Sequence, residues 1–430
     1  MNFLEQAAKK LLPTYMPAGI PLDEDQLLPR YDGFSIANIP ASLCGWLGCP
    51  MPNGRPLDKT LTNQLEPEYQ HVILVVVDGL GLSFLDEHNL IEVENNPLPD
   101  WQAVLKDGLP QPLTSIVPST TAAALTTFWS GRLPAEHGII GYELFLREYG
   151  LIANMVTHSV ASFMGENGNL SKTGFDPQRF LPVSTLGAHF KQNGIGTYAL
   201  QPAAIANSGL SQMLLNGTQT LPYQSLEELW RLAADIPARN PGQRTYTYIY
   251  WSEIDTLSHH TGPQDAQLLS KWREFSNHLA RFLQTQQRKM NGRTLLLLTA
   301  DHGQVPTPIS PDFDLHNHLD FTRHLVMMPS GESRLPYLFI KPGHEDAIHA
   351  YLQTHWEGQF RAVPSEIVIR SGLLGNCPLY DAALERMGHL VVFPKKNAYW
   401  WWANKENHLL GRHGGISRQE MLVPLFSLAL

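Results

Sequence analysis

The sequence predicts an α/β protein whose central sheet is mostly parallel and carries helices on both faces. Two observations support this prediction. Apolar, strand-like segments alternate along the chain with helical stretches, and several of these segments are continuously hydrophobic, as in sheets buried on both sides. The chain has 430 residues, of which 43% are hydrophobic and 17% charged, a composition typical of a globular protein.

The first strand is the clearest of the predicted elements. Val72–Val77 reads VILVVV, a β-branched run typical of a strand buried on both faces of a parallel sheet. The other predicted strands are Leu113–Val117, Thr197–Leu200, Thr245–Trp251 and Thr294–Thr299. The predicted helices are Ala122–Ser130, Leu226–Ala234 and a long one near Gln264–Lys289. Strands that alternate with helices favour parallel crossover connections.

The same patterns divide the chain into three parts. Residues 1–70 are rich in Pro and Gly and are predicted to form an N-terminal extension packed on the core. Residues 71–311 and 405–430 form the predicted α/β core. Residues 312–404 interrupt the alternation and are predicted to be an inserted cap or lid. Their aromatic run Tyr399–Trp402 either packs the cap on the core or stacks on a substrate.

Charge and cysteine content narrow the possible functions. The net charge is -9 without a dense Lys/Arg run, which argues against binding nucleic-acid polymers or an anionic membrane surface. We find no secretory signal and no stretch near the ~18 apolar residues of a membrane span, so a cytoplasmic protein is expected. Cys44 and Cys49 enclose four residues, but no second Cys or His pair lies nearby in the sequence. We therefore interpret these cysteines and Cys377 as buried or free thiols and not as a disulfide framework.

Polar residues stand at four predicted strand ends. Asp78 follows the first strand, the turn Ser119–Thr121 precedes the Ala-rich helix, and Asp255 and Asp301 follow later strands. Ligands of open α/β sheets bind outside the carboxyl ends of the strands. We therefore expect these residues to meet at one edge of the sheet.

Three histidines accompany the carboxylates. Asp255 and His259 are four residues apart and would share one face of a helix, His302 follows Asp301 directly, and His413 lies in the Gly-rich segment GRHGG. Carboxylates and neutral imidazoles are common zinc ligands. Together these residues predict a metal centre. Taken alone, Asp78 and His413 have plainer explanations, whereas the Asp301-His302 pair favours ligation even in isolation.

The hydroxyl groups before the Ala-rich helix have two interpretations. The first turn of a helix presents free backbone N–H groups, which favour a phosphate or an oxyanion. Ser119 and Thr120 would equally serve as N-caps of that helix. The Asp78-Gly79 pair, taken alone, is also compatible with an ordinary turn.

In chain order, the motifs resemble a known group of enzymes. The Asp-Gly at a strand end, the Thr at a helix start, Asp-x-x-x-His, Asp-His-Gly and His-Gly-Gly resemble the alkaline phosphatase superfamily, and within it the type I phosphodiesterase and nucleotide pyrophosphatase branch. The resemblance implies an alkaline-phosphatase-like fold with two zinc ions, one held by Asp255, His259 and His413 and the other by Asp78, Thr121, Asp301 and His302. Manganese or another divalent ion is an alternative, because mixed nitrogen and oxygen ligation is weakly selective.

The resemblance also implies a nucleophile. Counting back from Ser130-Gly131 with the spacing of the family selects Thr121 over Thr120, and a covalent phospho-threonine is expected. The branch usually has an Asn shortly after the nucleophile that holds a phosphate oxygen, whereas Ala122–Ala124 follow here. The backbone N–H of Ala122 is the expected substitute. The C/S-x-P-x-R motif of sulfatases does not occur at Thr121, so sulfatase activity is set aside.

We therefore predict a two-zinc phosphoester hydrolase, of the phosphodiesterase or nucleotide pyrophosphatase type, acting on a small phosphoester such as a nucleotide. Three carboxylates do not neutralise two divalent cations, so the predicted site keeps a positive charge that suits a diester monoanion. Two alternatives stay open. One is a phosphomonoesterase or phosphomutase on the same fold, and the other is a metal-binding superfamily member without activity.

Overall fold

Two seven-stranded sheets organise the computed structural model, which describes residues 3–12, 19–20, 22–91, 94, 96–108, 110–161, 165–290 and 292–430. Residues 1–2, 13–18 and 21 of the predicted N-terminal extension lie outside the described residues. The strands are β1 His71–Val77, β2 Gln111–Thr114, β3 Glu143–Leu146, β4 Leu151–Asn154, β5 Ser159–Val160, β6 Gly196–Pro202, β7 Gln219–Tyr223, β8 Thr245–Trp251, β9 Thr294–Thr299, β10 Val305–Pro306, β11 Ser330–Glu332, β12 Leu335–Leu338, β13 Phe360–Pro364, β14 Leu390–Pro394, β15 Gly411–Arg412 and β16 Leu422–Ala429.

Helices connect and cover these strands. The α-helices are α1 Phe3–Lys10, α2 Ile39–Trp46, α3 Lys59–Thr62, α4 Leu82–Glu87, α5 Pro99–Asp107, α6 Thr121–Ser130, α7 Pro134–His137, α8 Pro177–Phe180, α9 Leu186–Gln192, α10 Gly209–Leu214, α11 Leu226–Arg239, α12 Glu253–Thr261, α13 Ala266–Met290, α14 Leu319–Thr322, α15 Glu345–His355, α16 Ser365–Arg370, α17 Asp381–Met387 and α18 Arg418–Met421. Short 3-10 helices span Ile36–Asn38, Asn169–Thr173, Pro311–Phe313 and Leu315–Asn317.

The first sheet has the strand order β2-β16-β9-β1-β8-β6-β7. Its strands from β9 to β7 run parallel to one another, whereas β16 is antiparallel to both β9 and β2. Every residue of β1, β8 and β9 is buried, which explains their continuous apolar or aromatic sequences. The predicted fold class, a mostly parallel sheet flanked by helices, is confirmed.

One predicted strand ends earlier than expected. β2 stops at Thr114 and does not continue to Val117, because Ser115 bonds to other segments. The Ser115 N–H donates to the Met421 carbonyl at 2.7 Å, and the Ser115 hydroxyl donates to the Asp301 carbonyl at 2.5 Å. The segment that leads to Thr121 is thereby attached to the end of β9.

The second sheet was not predicted. Its order is β13-β14-β12-β11-β3-β4-β5, with antiparallel pairing throughout. Residues 143–160 supply three of these strands and residues 330–394 supply the other four, joined where Gly331 pairs with Glu143. The strands contributed by residues 312–404 therefore belong to a sheet shared with an earlier part of the chain. The division of the chain into core and cap stays a prediction.

The aromatic run at residues 399–402 packs largely inside the protein. Trp400 is 0% exposed and stacks on Phe360, with ring centroids 4.7 Å apart. Trp401 is also buried, while the indole N–H of Trp402 donates to Glu143 Oε2 at 3.0 Å. For Trp400, packing within the fold is therefore preferred over stacking on a substrate. None of the described helices is both long enough and apolar enough to cross a bilayer.

Candidate active site

The register of the first sheet brings three predicted donors to one edge. β1 pairs with β8 up to Val77 opposite Trp251, and with β9 up to Val76 opposite Thr299, so the three strands end at nearly the same level. Asp78 follows β1, Asp301 and His302 follow β9, and α12 starts two residues after β8. The Asp78 N–H donates to the Trp251 carbonyl at 2.9 Å, and this bond holds the end of β1 against the end of β8.

Helix α12 adds Asp255 and His259 on one face, as the four-residue spacing predicts. The Asp255 N–H donates to the Asp78 carbonyl at 3.1 Å, and His259 Nε2 lies 3.4 Å from Asp255 Oδ2. Between them, Gly79 has φ +73°, and a Cβ there would lie 2.9 Å from the Asp255 Cα. Glycine is required at this point because the turn and the helix approach so closely.

Thr121 is the first residue of α6. Its Oγ1 lies 3.2 Å from His302 Nε2, which places the hydroxyl against the donor cluster. Ala122 follows in the first helical turn, where backbone N–H groups have no partner within the helix. The Ser119 hydroxyl, by contrast, donates to the Gly415 carbonyl at 2.7 Å and is already engaged.

The loop after β15 completes the cluster with His413. Its Nδ1 lies 3.1 Å from the Ser119 carbonyl, and its Nε2 lies 3.7 Å from Asp255 Oδ1. The rings of His302 and His413 stack with centroids 3.8 Å apart. All seven predicted site residues therefore meet at the carboxyl edge of the sheet.

The donor atoms fit a divalent metal centre. Two groups of three, Asp78/Asp301/His302 and Asp255/His302/His413, each place their donor atoms within 4.8 Å of one another. Asp78 Oδ1 and Asp301 Oδ2 are buried and have no hydrogen-bond partner among the described residues. Unpaired buried carboxylate oxygens are costly, and a bound cation removes that cost.

The electrostatics of the cluster point the same way. Burial raises the pKa of Asp78 well above its usual range, and the charges of Asp255 and Asp301 raise it further. Burial, together with Asp255, raises the pKa of Asp301 to about 6. Burial lowers the pKa of His302 to about 4 and that of His413 to about 3, so both imidazoles are neutral at pH 7 and can donate lone pairs. The carboxylates of Asp78, Asp255 and Asp301 lie close together, and a bound cation would neutralise their negative charge.

Two residues that support the cluster were missed in the sequence. The Tyr250 hydroxyl donates to Asp78 Oδ2, and the Gln304 amide donates to both Asp255 Oδ1 and the Asp255 carbonyl. These contacts orient the carboxylates from behind. The role of Tyr250 could have been predicted only from its position opposite Val76 in the sheet, and that position requires the strand pairing to be known.

Glu332 is a buried acid next to this cluster. Its Oε1 accepts the Tyr142 N–H at 2.6 Å, and a Cβ on Gly414 would lie 2.7 Å from the Glu332 side chain. Burial raises the pKa of Glu332 from 4.5 to about 8, so the carboxyl is protonated at neutral pH. Glu332 thus supports the His413 loop as a neutral group.

Replacing Glu332 with Gln is expected to stabilise the protein at alkaline pH. The pKa of Glu332 is higher in the folded state than in the unfolded state. Its contribution to the free energy of unfolding is therefore full below about pH 4.5 and is lost as the pH rises through about 8. Gln keeps the acceptor and cannot ionise. Urea unfolding at about pH 8.5 should show a gain of roughly 1 kcal/mol or more, with a flatter pH dependence. The exposed Glu357→Gln variant should follow the wild type, and parallel pH profiles for Glu332→Gln and wild type would contradict the prediction.

The match to a family model shows that this chain, with its donor cluster at the edge of the sheet, is of the phosphoester hydrolase class. More particularly, residues 72–416 match the model of the type I phosphodiesterase/nucleotide pyrophosphatase family, and the chain belongs to this family. The matched range includes residues 312–404. The family resemblance predicted from the motifs is confirmed, whereas no curated protein sequence matches the chain.

Solved structures share the fold at low sequence identity. Murine ectonucleotide pyrophosphatase/phosphodiesterase 5 is 18% identical with a TM-score of 0.60, over 83% of this chain and 87% of its own. The human protein of the same name is 17% identical with a TM-score of 0.59, over the same shares. Phosphonoacetate hydrolase from Sinorhizobium meliloti, in complex with phosphonoformate, is 18% identical with a TM-score of 0.59, over 84% of this chain and 90% of its own.

Proposed function

We propose that this chain is a two-metal phosphodiesterase of the nucleotide pyrophosphatase type, with Thr121 as its nucleophile. The observation that carries the proposal is the position of Thr121 Oγ1, 3.2 Å from His302 Nε2 and at the start of a buried helix. A hydroxyl at that point meets both a donor cluster suited to cations and free helix N–H groups suited to an oxyanion.

The proposed ligands form two sets. Asp255, His259 and His413 would hold one ion, and Asp78, Thr121, Asp301 and His302 the other. Zinc suits this mixture of carboxylate and imidazole, although Mn²⁺ or another divalent ion is also compatible. When bound, the two ions supply Lewis acidity and positive charge for the attacking and leaving oxygens of an in-line displacement.

The side chains of this site have separate tasks in the proposed reaction. Thr121 Oγ1 forms a bond to phosphorus as the bond from phosphorus to the leaving oxygen breaks. The proton lost by the threonine hydroxyl ends on the leaving oxygen, and a phospho-threonine remains. Water then attacks the same phosphorus, and the threonine hydroxyl is restored. The Ala122 N–H donates to a phosphoryl oxygen, while Tyr250 and Gln304 hold the carboxylates of Asp78 and Asp255 in orientation.

The comparisons support small phosphorus-containing substrates. The murine relative was solved as an inactive variant, with a threonine replaced by alanine, in complex with AMP. Phosphonoacetate hydrolase was solved with phosphonoacetate. Both proteins share the fold with this chain, which supports a nucleotide or another small phosphoester as substrate.

A diester is preferred over a monoester. Two buried arginines near the His413 loop are already engaged, Arg334 with Glu420 and Arg412 with the Thr307 and Asn407 side chains. A monoester dianion usually needs such an additional cation. A diester monoanion is satisfied by the positive charge that two divalent ions would leave at the site.

A cytoplasmic location stays a prediction.

The test is a substrate panel assayed before and after chelation. Purified protein should hydrolyse bis-p-nitrophenyl phosphate and a nucleotide diester, and should be at least about tenfold slower on p-nitrophenyl phosphate. Metal analysis should find at least two divalent ions per chain, and chelation should remove both metal and activity. A preference for the monoester would support the phosphomonoesterase alternative. Metal-free protein that retains full activity would overturn the proposal.

A further inference from the structure

A second cluster of metal-binding side chains lies in elements that contribute no donor to the candidate active site. Cys44 belongs to α2, Cys49 follows the end of that helix, and His189 belongs to α9. The cysteines are buried, with 0% and 5% exposed. One donor atom from each of the three residues lies within 4.8 Å of the others.

The end of α2 brings the two thiols together. The Cys49 N–H donates to the Cys44 carbonyl at 2.8 Å, and the Gly48 N–H donates to the Gly45 carbonyl at 2.9 Å. These two bonds define a Schellman motif, and Gly48 supplies its left-handed residue with φ +67°. In this motif the side chains at the positions of Cys44 and Cys49 commonly contact each other. The five-position separation of Cys44 and Cys49 is thus set by the motif that ends α2.

The third donor is fixed against this pair. His189 Nε2 lies 2.9 Å from the Cys49 carbonyl oxygen. The hydrogen bond from Cys44, with help from His189 and Arg244, lowers the pKa of the Cys49 thiol to about 7 despite burial. The same hydrogen bond and burial raise the pKa of Cys44. The lowered pKa of the Cys49 thiol favours its thiolate form, which is the form that binds a metal ion.

The groups around Cys44, Cys49 and His189 are a cavity, a positive charge and a buried hydroxyl. His189, but neither cysteine, lines a cavity of about 480 Å³. Arg244 donates to the Leu47 carbonyl at 2.8 Å, so the helix end carries a neighbouring positive charge. The Tyr246 hydroxyl is buried without a hydrogen-bond partner among the described residues, and the charge of Cys44, after burial, raises its pKa.

We propose that Cys44, Cys49 and His189 form an additional metal site that takes a thiophilic ion such as Zn²⁺. Two thiolates and a neutral imidazole balance the charge of a divalent cation, and binding releases the two thiol protons. Sulfur donors favour Zn²⁺ over Mg²⁺, Ca²⁺ or Mn²⁺. The ion would join α9 to the end of α2, and both helices pack on α6, which carries Thr121.

Cobalt is the probe that tests this site in the full chain. Metal-free, reduced protein titrated with Co²⁺ should develop a thiolate-to-cobalt charge-transfer band whose final intensity corresponds to one thiolate-bound ion per chain. Carboxylate and imidazole ligands give no such band, so the result does not depend on the candidate active site. If all three cysteines react as free thiols and no band appears on titration, the proposal is overturned.

Variants identify the ligands. The double variant Cys44→Ser, Cys49→Ser should lose the band and one zinc equivalent per chain, whereas the matched control Cys377→Ser should keep both. His189→Gln, which leaves both thiols in place, should weaken Co²⁺ binding on the order of tenfold or more. A band that survives in the double variant would refute the assignment. So would a single free thiol in denatured, unreduced protein, because Cys44 and Cys49 would then form a disulfide.

Discussion

Replacing Thr121 with Ala is expected to lower kcat on a phosphodiester by on the order of 10⁴-fold or more, with metal content nearly unchanged. The hydroxyl is the only group of this side chain that can bond to phosphorus, whereas the aspartates and histidines of the site are untouched by the change. Steady-state assays with the phosphodiesters give kcat, and metal analysis of the same preparation gives the metal content.

Two variants on the same helix calibrate this result. Thr126 donates its hydroxyl to the Ala122 carbonyl at 2.7 Å and does not contact the donor cluster, so Thr126→Ala should keep activity within about threefold. Thr121→Ser retains a hydroxyl and should recover part of the lost rate. Substantial activity in Thr121→Ala would show that another group attacks phosphorus.

Replacing His302 with Ala is expected to remove both metal and activity. His302 belongs to the proposed set of Asp78, Thr121 and Asp301, and its donor atom also lies within reach of Asp255 and His413. It is 0% exposed, so its loss should release one ion directly and weaken the binding of the other. The expected fall in kcat/KM is about 10³-fold or more. The number of bound ions should fall by at least one per chain after dialysis.

His260 provides the control for this change. It lies next to His259 in α12 but is exposed, so His260→Ala should keep metal and activity near the wild-type values. His259→Ala tests the assignment of His259 as a ligand, because it should weaken the ion also held by Asp255 and His413. If His302→Ala kept the wild-type number of tightly bound ions, the proposed ligand sets would be wrong.

The parts of the site that the sequence predicted share one physical cause. Asp78 and Asp301 follow strands whose every residue is buried, so the strands were visible as apolar runs and their polar ends stood out. Parallel strands end at the same edge, which links residues more than two hundred positions apart without any knowledge of contacts. The Asp255 and His259 pair was equally local, because four residues make one turn of α12.

The parts that were missed depend on pairings between distant segments. β3 and β11 are short and join through Gly331 opposite Glu143, and neither has the continuous apolar run that identified β1. The hydrogen bond from Gln304 to Asp255 likewise appears only after α12 and the loop following β9 are brought together. The Cys44 and Cys49 contact depended on where α2 ends, and strand or helix periodicity does not reveal a helix end with that accuracy.

The position of β16 has a consequence for synthesis on the ribosome. In the first sheet β2 has one neighbour, β16, which is made about three hundred residues after β2 and lies between it and β9. The segment that leads to the nucleophile therefore has no strand to pair with in that sheet until residues 422–429 have emerged. A nascent chain would contain most of the proposed metal ligands before β16 could hold the segment of Thr121 in place. Hydrolytic activity should therefore appear only after residues 422–429 have been translated.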